Sequence, residues 1–242
     1  MSNPVIEYYH KHKNLIEHNL VLSKDPEDIE AIHDMRLSIK RLRVVVRLVY
    51  LLNKDFDPSE SMHHINYLFK RSGRLRDLQV CRQLFHELKK HELEPLISRL
   101  DSRITKRRLK FEAALHGFDP LYLERIEKDI DVATKHLPSK AFLAEGHAML
   151  MILINDIHEI FHGSNDERRL HRIRRRIKDI NYLNNIFEEH IGIDESLNLS
   201  AERIRELGDL AGSWHDQLNM EKEMKAFIQK YPDVSNAEFS NI

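Results

Sequence analysis

Apolar residues recur along this chain at the three- and four-residue spacing of helices, and no segment alternates like a strand. The pattern is clearest between 27 and 53. There Met35, Ile39, Leu42, Val46 and Val49 share an arc of about 80° when successive residues are turned by roughly 100°. The same periodicity predicts helices over 5–22, 27–53, 58–90, 92–116, 119–136, 139–162, 165–190 and 197–230. Stops and starts fall at Asp25-Pro26, Asp57-Pro58, Gly117 with Asp119-Pro120, Pro138-Ser139 and Gly163-Ser164-Asn165. These are residues that end a helix or cap the next one. Gly73 marks a candidate break inside 58–90, whereas Pro95 suits the first turn of a helix. The expected fold class is all-α.

An internal repeat refines this picture. HDMRLSIKRLRV, from His33, aligns with HRIRRRIKDINY, from His171, and pairs His33 with His171, Arg36 with Arg174, Ile39 with Ile177 and Lys40 with Lys178. Further on, Leu68, Gly73 and Asp77 pair with Leu207, Gly212 and Asp216. His33 and Asp77 are 44 positions apart and His171 and Asp216 are 45 apart, so a single gap reconciles the two series. Two related helical halves, 1–118 and 119–242, arranged about a pseudo-twofold axis are therefore expected.

The net charge of −1 excludes a uniformly basic protein. The cations are nevertheless segregated: windows 31–50, 70–76, 99–110 and 168–178 hold 22 of the 38 Lys and Arg, with Asp34 and Asp101 as their only acids. On the helix over 27–53, His33, Arg36, Lys40, Arg43 and Arg47 form one stripe that borders the apolar arc. Like charges at this spacing repel, so the stripe calls for anions from neighbouring helices or from a ligand. His171, Arg174 and Lys178 form a second stripe, flanked by Arg168 and Arg175, with Asn181 and Asn185 standing where the first stripe has Arg43 and Arg47. A third comprises Arg99, Arg103, Lys106, Arg107 and Lys110, and Lys70, Arg71, Arg74 and Arg76 make a fourth patch.

Arginine forks grip pairs of phosphate oxygens and lysine adds a mobile charge, so such stripes suit a linear phosphate polymer. Inorganic polyphosphate and a nucleic-acid backbone both fit. Stacking aromatics would favour nucleic acid. They are few: Tyr182 lies near the second stripe, and Tyr67, Phe69 and Phe85 read as core residues. No RNP-like or zinc-finger pattern is present, which favours a bare phosphate chain over nucleic acid.

At these residues the sequence resembles the CHAD family, the conserved histidine α-helical domain. His33, Arg36, Lys40, Arg41 and Arg43 match its first motif, and Gly73, Arg76 and Asp77 match a Gly-x-x-Arg-Asp turn. His171, Arg174, Lys178 and Tyr182 match a later motif, and Leu207 to Asp216, including His215, match the last with variations. Asn181 stands where the family carries arginine, and Asp179 adds an acid beside Lys178. The resemblance spans about 5–230 and implies two helical bundles with a basic groove or pore between them. It also implies binding of inorganic polyphosphate, with targeting to polyphosphate granules in some members. The candidate phosphate ligands are His33, Arg36, Lys40, Arg41, Arg43, Arg47, Arg74, Arg76, Arg103, Arg107, His171, Arg174, Arg175 and Lys178.

Two other classes compete with this reading. His33-Asp34 and His215-Asp216, with His63-His64, offer ligands for a metal-dependent phosphohydrolase of the HD type. Against it, Asp34 falls on a different face from the basic stripe, and the clustered cations would repel a metal. A helical scaffold held by its acidic body and basic faces is the third reading. His158 and His162 have metal-capable spacing without a marked third ligand, and Cys81 reads as a small buried residue. The expectation is a binding protein with no catalytic residue, metal or cofactor. The absence of a signal-like start and of a membrane-spanning apolar run makes the cytoplasm the expected compartment, with no membrane partner.

Overall fold

The structure is a computed structural model that describes residues 4–26, 28–162, 166–187 and 200–231. The described residues form eight α-helices and one short 3-10 turn. In order they are α1 (Pro4–Leu22), α2 (Ile29–Leu52), α3 (Ser59–Glu87), the 3-10 turn His91–Leu93, α4 (Glu94–His116), α5 (Leu121–Thr134), α6 (Ser139–Phe161), α7 (Glu167–Ile186) and α8 (Ala201–Lys230). The all-α expectation holds, and the expected helices differ from these mainly by a few residues at their ends. α3 runs unbroken through Gly73, and Pro95 sits in the first turn of α4. The break expected at Gly163-Ser164-Asn165 lies outside the described residues, as do the expected helical residues 188–190 and 197–199.

Starts are set by local chemistry. The side chains of Asp28, Asp166 and Ser200 accept the backbone N–H three residues on, from Ala31, Arg169 and Arg203 respectively. Each satisfies one of the donors that a helix leaves open at its N-terminus.

α2 is the central element. Ile32, Met35, Ile39, Leu42, Val45, Leu48 and Val49 are fully buried on it. It packs along α1 and also meets α3, α5, α6 and α7. α6 packs along α7, and α7 along α8. One apolar core draws on all eight α-helices, so residues from both sides of position 118 share it. A second, smaller cluster joins Leu78, Cys81 and Phe85 of α3 to Leu96, Ile97 and Leu100 of α4 and Phe227 of α8.

Polar staples fix the loops. Tyr9 donates to the Leu123 carbonyl at 2.8 Å. The buried Arg108 guanidinium donates to the carbonyls of Ser23 and Lys24 at 2.7 and 2.9 Å and to Glu112 at 2.7 Å. Arg108 thus ties the turn before α2 to α4 and contributes nothing to a cationic surface. Arg108→Met keeps the stem but leaves both carbonyls unpaired. It is expected to cost about 1–3 kcal/mol of stability, measurable by denaturant unfolding.

Among the described residues no helix is long and apolar enough to cross a membrane.

Candidate functional site

The stripe on α2 borders the buried face, so its cations emerge where α2 meets its neighbours. α7 lies across from it, and α3 and α8 close the sides. Together they enclose a cavity of about 600 Å³. His33, Arg36, Lys40 and Arg43 reach it from α2, Phe69, Arg76 and Asp77 from α3, and Gly212, His215 and Asp216 from α8. α7 contributes Arg172, Arg174, Arg175, Arg176, Lys178, Asp179 and Tyr182. Nine Lys and Arg therefore face three Asp.

Arg36 is the best-anchored cation. It donates to the Phe69 carbonyl at 2.6 Å and to the Ser72 hydroxyl at 3.1 Å, and its guanidinium carbon lies 4.1 Å from the Phe69 ring centre. A Cβ on Gly73 would come within 3.1 Å of that guanidinium, so the glycine gives Arg36 its seat against α3. Arg43 shares the Phe69 ring at 3.9 Å and donates to Asn66 Oδ1 at 2.9 Å. Gly212, the repeat partner of Gly73, has no atom within contact of its would-be Cβ and leaves the α8 wall open to the cavity.

The crowding is visible in the titrations. Burial, together with Arg36, Lys178, Arg174 and Arg43, pulls the Lys40 ammonium down to about 7. Burial holds Arg36 down to about 10 and lowers Arg43, Arg174 and Lys178. Burial, then Arg174 and His171, pushes His215 down to about 4, and burial with Arg76 lowers His33. Both imidazoles are therefore neutral at pH 7. Asp77 and Asp216 are raised by burial, against the pull of Arg36 and Arg174 respectively. Among the described residues no carboxylate comes within ion-pair distance of Arg36, Lys40, Arg174 or Lys178. Four half-buried cations without a contacting anion thus concentrate uncompensated positive charge on the cavity wall.

Of the residues expected from the sequence, His33, Arg36, Lys40, Arg43, Arg76, Arg174, Arg175 and Lys178 line this cavity. Arg41 lies beside it, 6.0 Å from the Tyr182 ring. Arg47 turns to Asp179 at 3.5 Å. Arg74 and Arg103 both pair with Glu223, which is only 5% exposed, and so anchor α8 to α3 and α4. Arg107 is exposed on α4. His171 sits next to His215 and Trp214, with ring centres 5.0 Å away in each case, and contacts Glu167 at 3.3 Å.

Four lining residues escaped the sequence reading, one of them Val80 of α3. Arg172 and Arg176 lie beside the repeat-matched positions, and Phe69 was assigned to the core. Their signal was positional: Phe69 stands one turn before Gly73, on the face of α3 that carries Arg76 and Asp77. Phe85 is buried as expected, but Phe69 is only partly buried beneath two guanidiniums. Phe69 still packs against the main core, but Tyr67 is 46% exposed with Arg71 over its ring and is no core residue. Phe69 seats the α2 arginines, whereas Tyr67, two residues earlier and on another face of α3, meets Arg71 of its own helix.

The metal-binding candidates do not gather. His64 stacks on Tyr122, 3.8 Å between ring centres, Asp34 is exposed, and His158 and His162 face each other on exposed α6. Among the described residues no three of His, Cys, Asp or Glu converge as ligands. Burial, then Glu223, pushes the Cys81 thiol up to about 12, so it stays protonated.

The CHAD domain model matches residues 9–222. The crystal structure of the CHAD domain from the plant Ricinus communis is similar in fold, with a TM-score of 0.77 at 17% identity, covering 97% of this chain and 81% of that one. The comparison with curated proteins finds no match.

Proposed function

Because the chain belongs to the CHAD domain family, we propose that its cavity binds inorganic polyphosphate, and that it does so as a receptor without cleaving the chain. The observation that carries this reading is the convergence of Arg36 and Lys40 from α2 with Arg174 and Lys178 from α7, with no contacting carboxylate among the described residues. A linear phosphate chain supplies the missing negative charge along the whole length of such a site. Arg36 and Arg174 offer planar donor forks, and Lys40 and Lys178 fill in as point charges. The neutral imidazoles of His33 and His215 add hydrogen-bond donors at the cavity wall. Few aromatics face the cavity, and Tyr182 and Phe69 both lie beneath arginines, which leaves little to stack a base. A bare phosphate chain is thus favoured over nucleic acid. In the cell the same binding recruits the protein to polyphosphate granules.

The test is titration of EDTA-treated protein with long-chain polyphosphate at several salt concentrations, with double-stranded DNA as competitor. Tight binding that weakens steeply with salt and resists DNA is expected, since several cations release condensed counter-ions. No binding at low salt would overturn the reading. Release of orthophosphate on adding divalent metal would replace the receptor with the hydrolase.

A further inference from the structure

The cations around the cavity are not equally free. Toward the α2 N-terminus, Arg36 and Lys40 face Arg174 and Lys178 with no carboxylate in contact among the described residues. Toward the α2 C-terminus the situation reverses. Asp179 Oδ2 lies 3.5 Å from Arg47 and 3.7 Å from Arg176, and Arg175 and Arg43 add to the field around it. Arg176 is further drawn to Asp156 at 2.8 Å. One carboxylate that lines the same cavity as Lys40 thus holds Arg47, which is not itself among the lining residues. Arg36 and Arg47 are eleven positions apart, about 16 Å along the helix, so the difference covers a sizeable part of the stripe.

We propose that Asp179 closes the Arg47 end of the cavity to phosphate and so sets how long a segment of chain the site takes up. The inference rests on the polyphosphate reading. A phosphate moving toward Arg47 must displace the carboxylate or approach it, and both are unfavourable between like charges. Chain beyond the Arg43 position is turned out to solvent. The site then accepts a short anionic segment at nearly full strength and gains little from greater length. Its length preference resides in one side chain on α7.

The test compares tripolyphosphate with long-chain polyphosphate on the wild-type chain, Asp179→Asn, Arg47→Gln and the double variant. Asp179→Asn keeps the shape and removes the charge. It is expected to raise long-chain affinity about tenfold, leave tripolyphosphate within about twofold, and steepen the salt dependence by roughly one charge. Arg47→Gln is expected to leave wild-type binding unchanged and to erase the gain in the double variant. Equal gains for both chain lengths would show that Asp179 acts through overall charge, and loss of wild-type long-chain binding in Arg47→Gln would show that end to be open. Either outcome overturns the inference while polyphosphate binding stands. If the wild-type chain binds neither ligand, the polyphosphate reading fails and the inference falls with it.

Discussion

Reversing Arg36 and Lys40 together to glutamate is expected to abolish retention of polyphosphate while leaving the oligomeric state unchanged. A charge-assisted hydrogen bond contributes about 1.5–3 kcal/mol. Losing two of them lowers affinity by roughly a hundredfold or more. Replacing them with acids adds repulsion on top. Retention on immobilised polyphosphate and size-exclusion chromatography check the two halves of the expectation. Arg36 also holds the Phe69 carbonyl, so α3 loses a bond in this variant. Lys178→Glu on the opposite wall provides the control, because no hydrogen bond ties Lys178 to the frame among the described residues. It is expected to lose binding without lowering the thermal transition, since it also relieves the crowding around Lys40 and Arg174. Retention that survives both changes while assembly alters would favour a scaffold held together by its charged faces.

The second large effect concerns Lys40 and pH. Arg36 and Arg43 of α2 and Arg174 and Lys178 of α7 surround it, with Asp77 of α3 and Asp216 of α8 as the facing acids. In the free protein it titrates at about 7, against 10.5 unperturbed. A bound anion favours the ammonium and restores its proton. Between pH 7 and the higher value of the complex, the complex therefore holds more protons than the free protein. Affinity rises as pH falls through this window, approaching tenfold per unit, and levels off below about 7. The folding linkage has the opposite sense. The unfolded chain holds the Lys40 proton more tightly, so the unliganded protein is relieved of this cost above about 10.5 and bears it increasingly as pH falls toward 7. Lys40→Met is expected to flatten the pH dependence of binding and weaken affinity at pH 7. It should also raise the Tm of the unliganded protein by about 2–4 °C, roughly 1 kcal/mol for a domain of this size. Calorimetric titration across pH and thermal scanning measure both. An unchanged pH slope in Lys40→Met would assign the proton to the ligand or to a histidine.

The helices and the α2 stripe were legible in the sequence because both depend on local spacing. Met35, Ile39, Leu42 and Val49 are buried where their periodicity puts them, and His33, Arg36, Lys40 and Arg43 emerge beside them. Partners distant in sequence were not legible. Arg74 shares one basic window with Arg76, Arg103 and Arg108 share another, and all of them read simply as cations. Glu223 claims Arg74 and Arg103 across more than a hundred residues, and the Ser23 and Lys24 carbonyls claim Arg108. Arg47 counted as part of the stripe until the fold laid Asp179 against it. Charge density in a sequence marks where cations lie, and only tertiary packing decides which of them are left for a ligand.

The position of α2 has a corollary for substitutions. Its cations alternate with the residues that form the middle of the core, so a change in one is felt by the other within a single turn. The first half of α7 is different: its buried residues begin at Ile180, beyond Arg174 and Lys178. Substitutions there can alter ligand contacts without eroding the frame, and the acid and the asparagine at 179 and 181 stand at the boundary of that stretch. A substitution among the α2 cations therefore disturbs core and ligand together, whereas one at Arg174 or Lys178 falls on the ligand first.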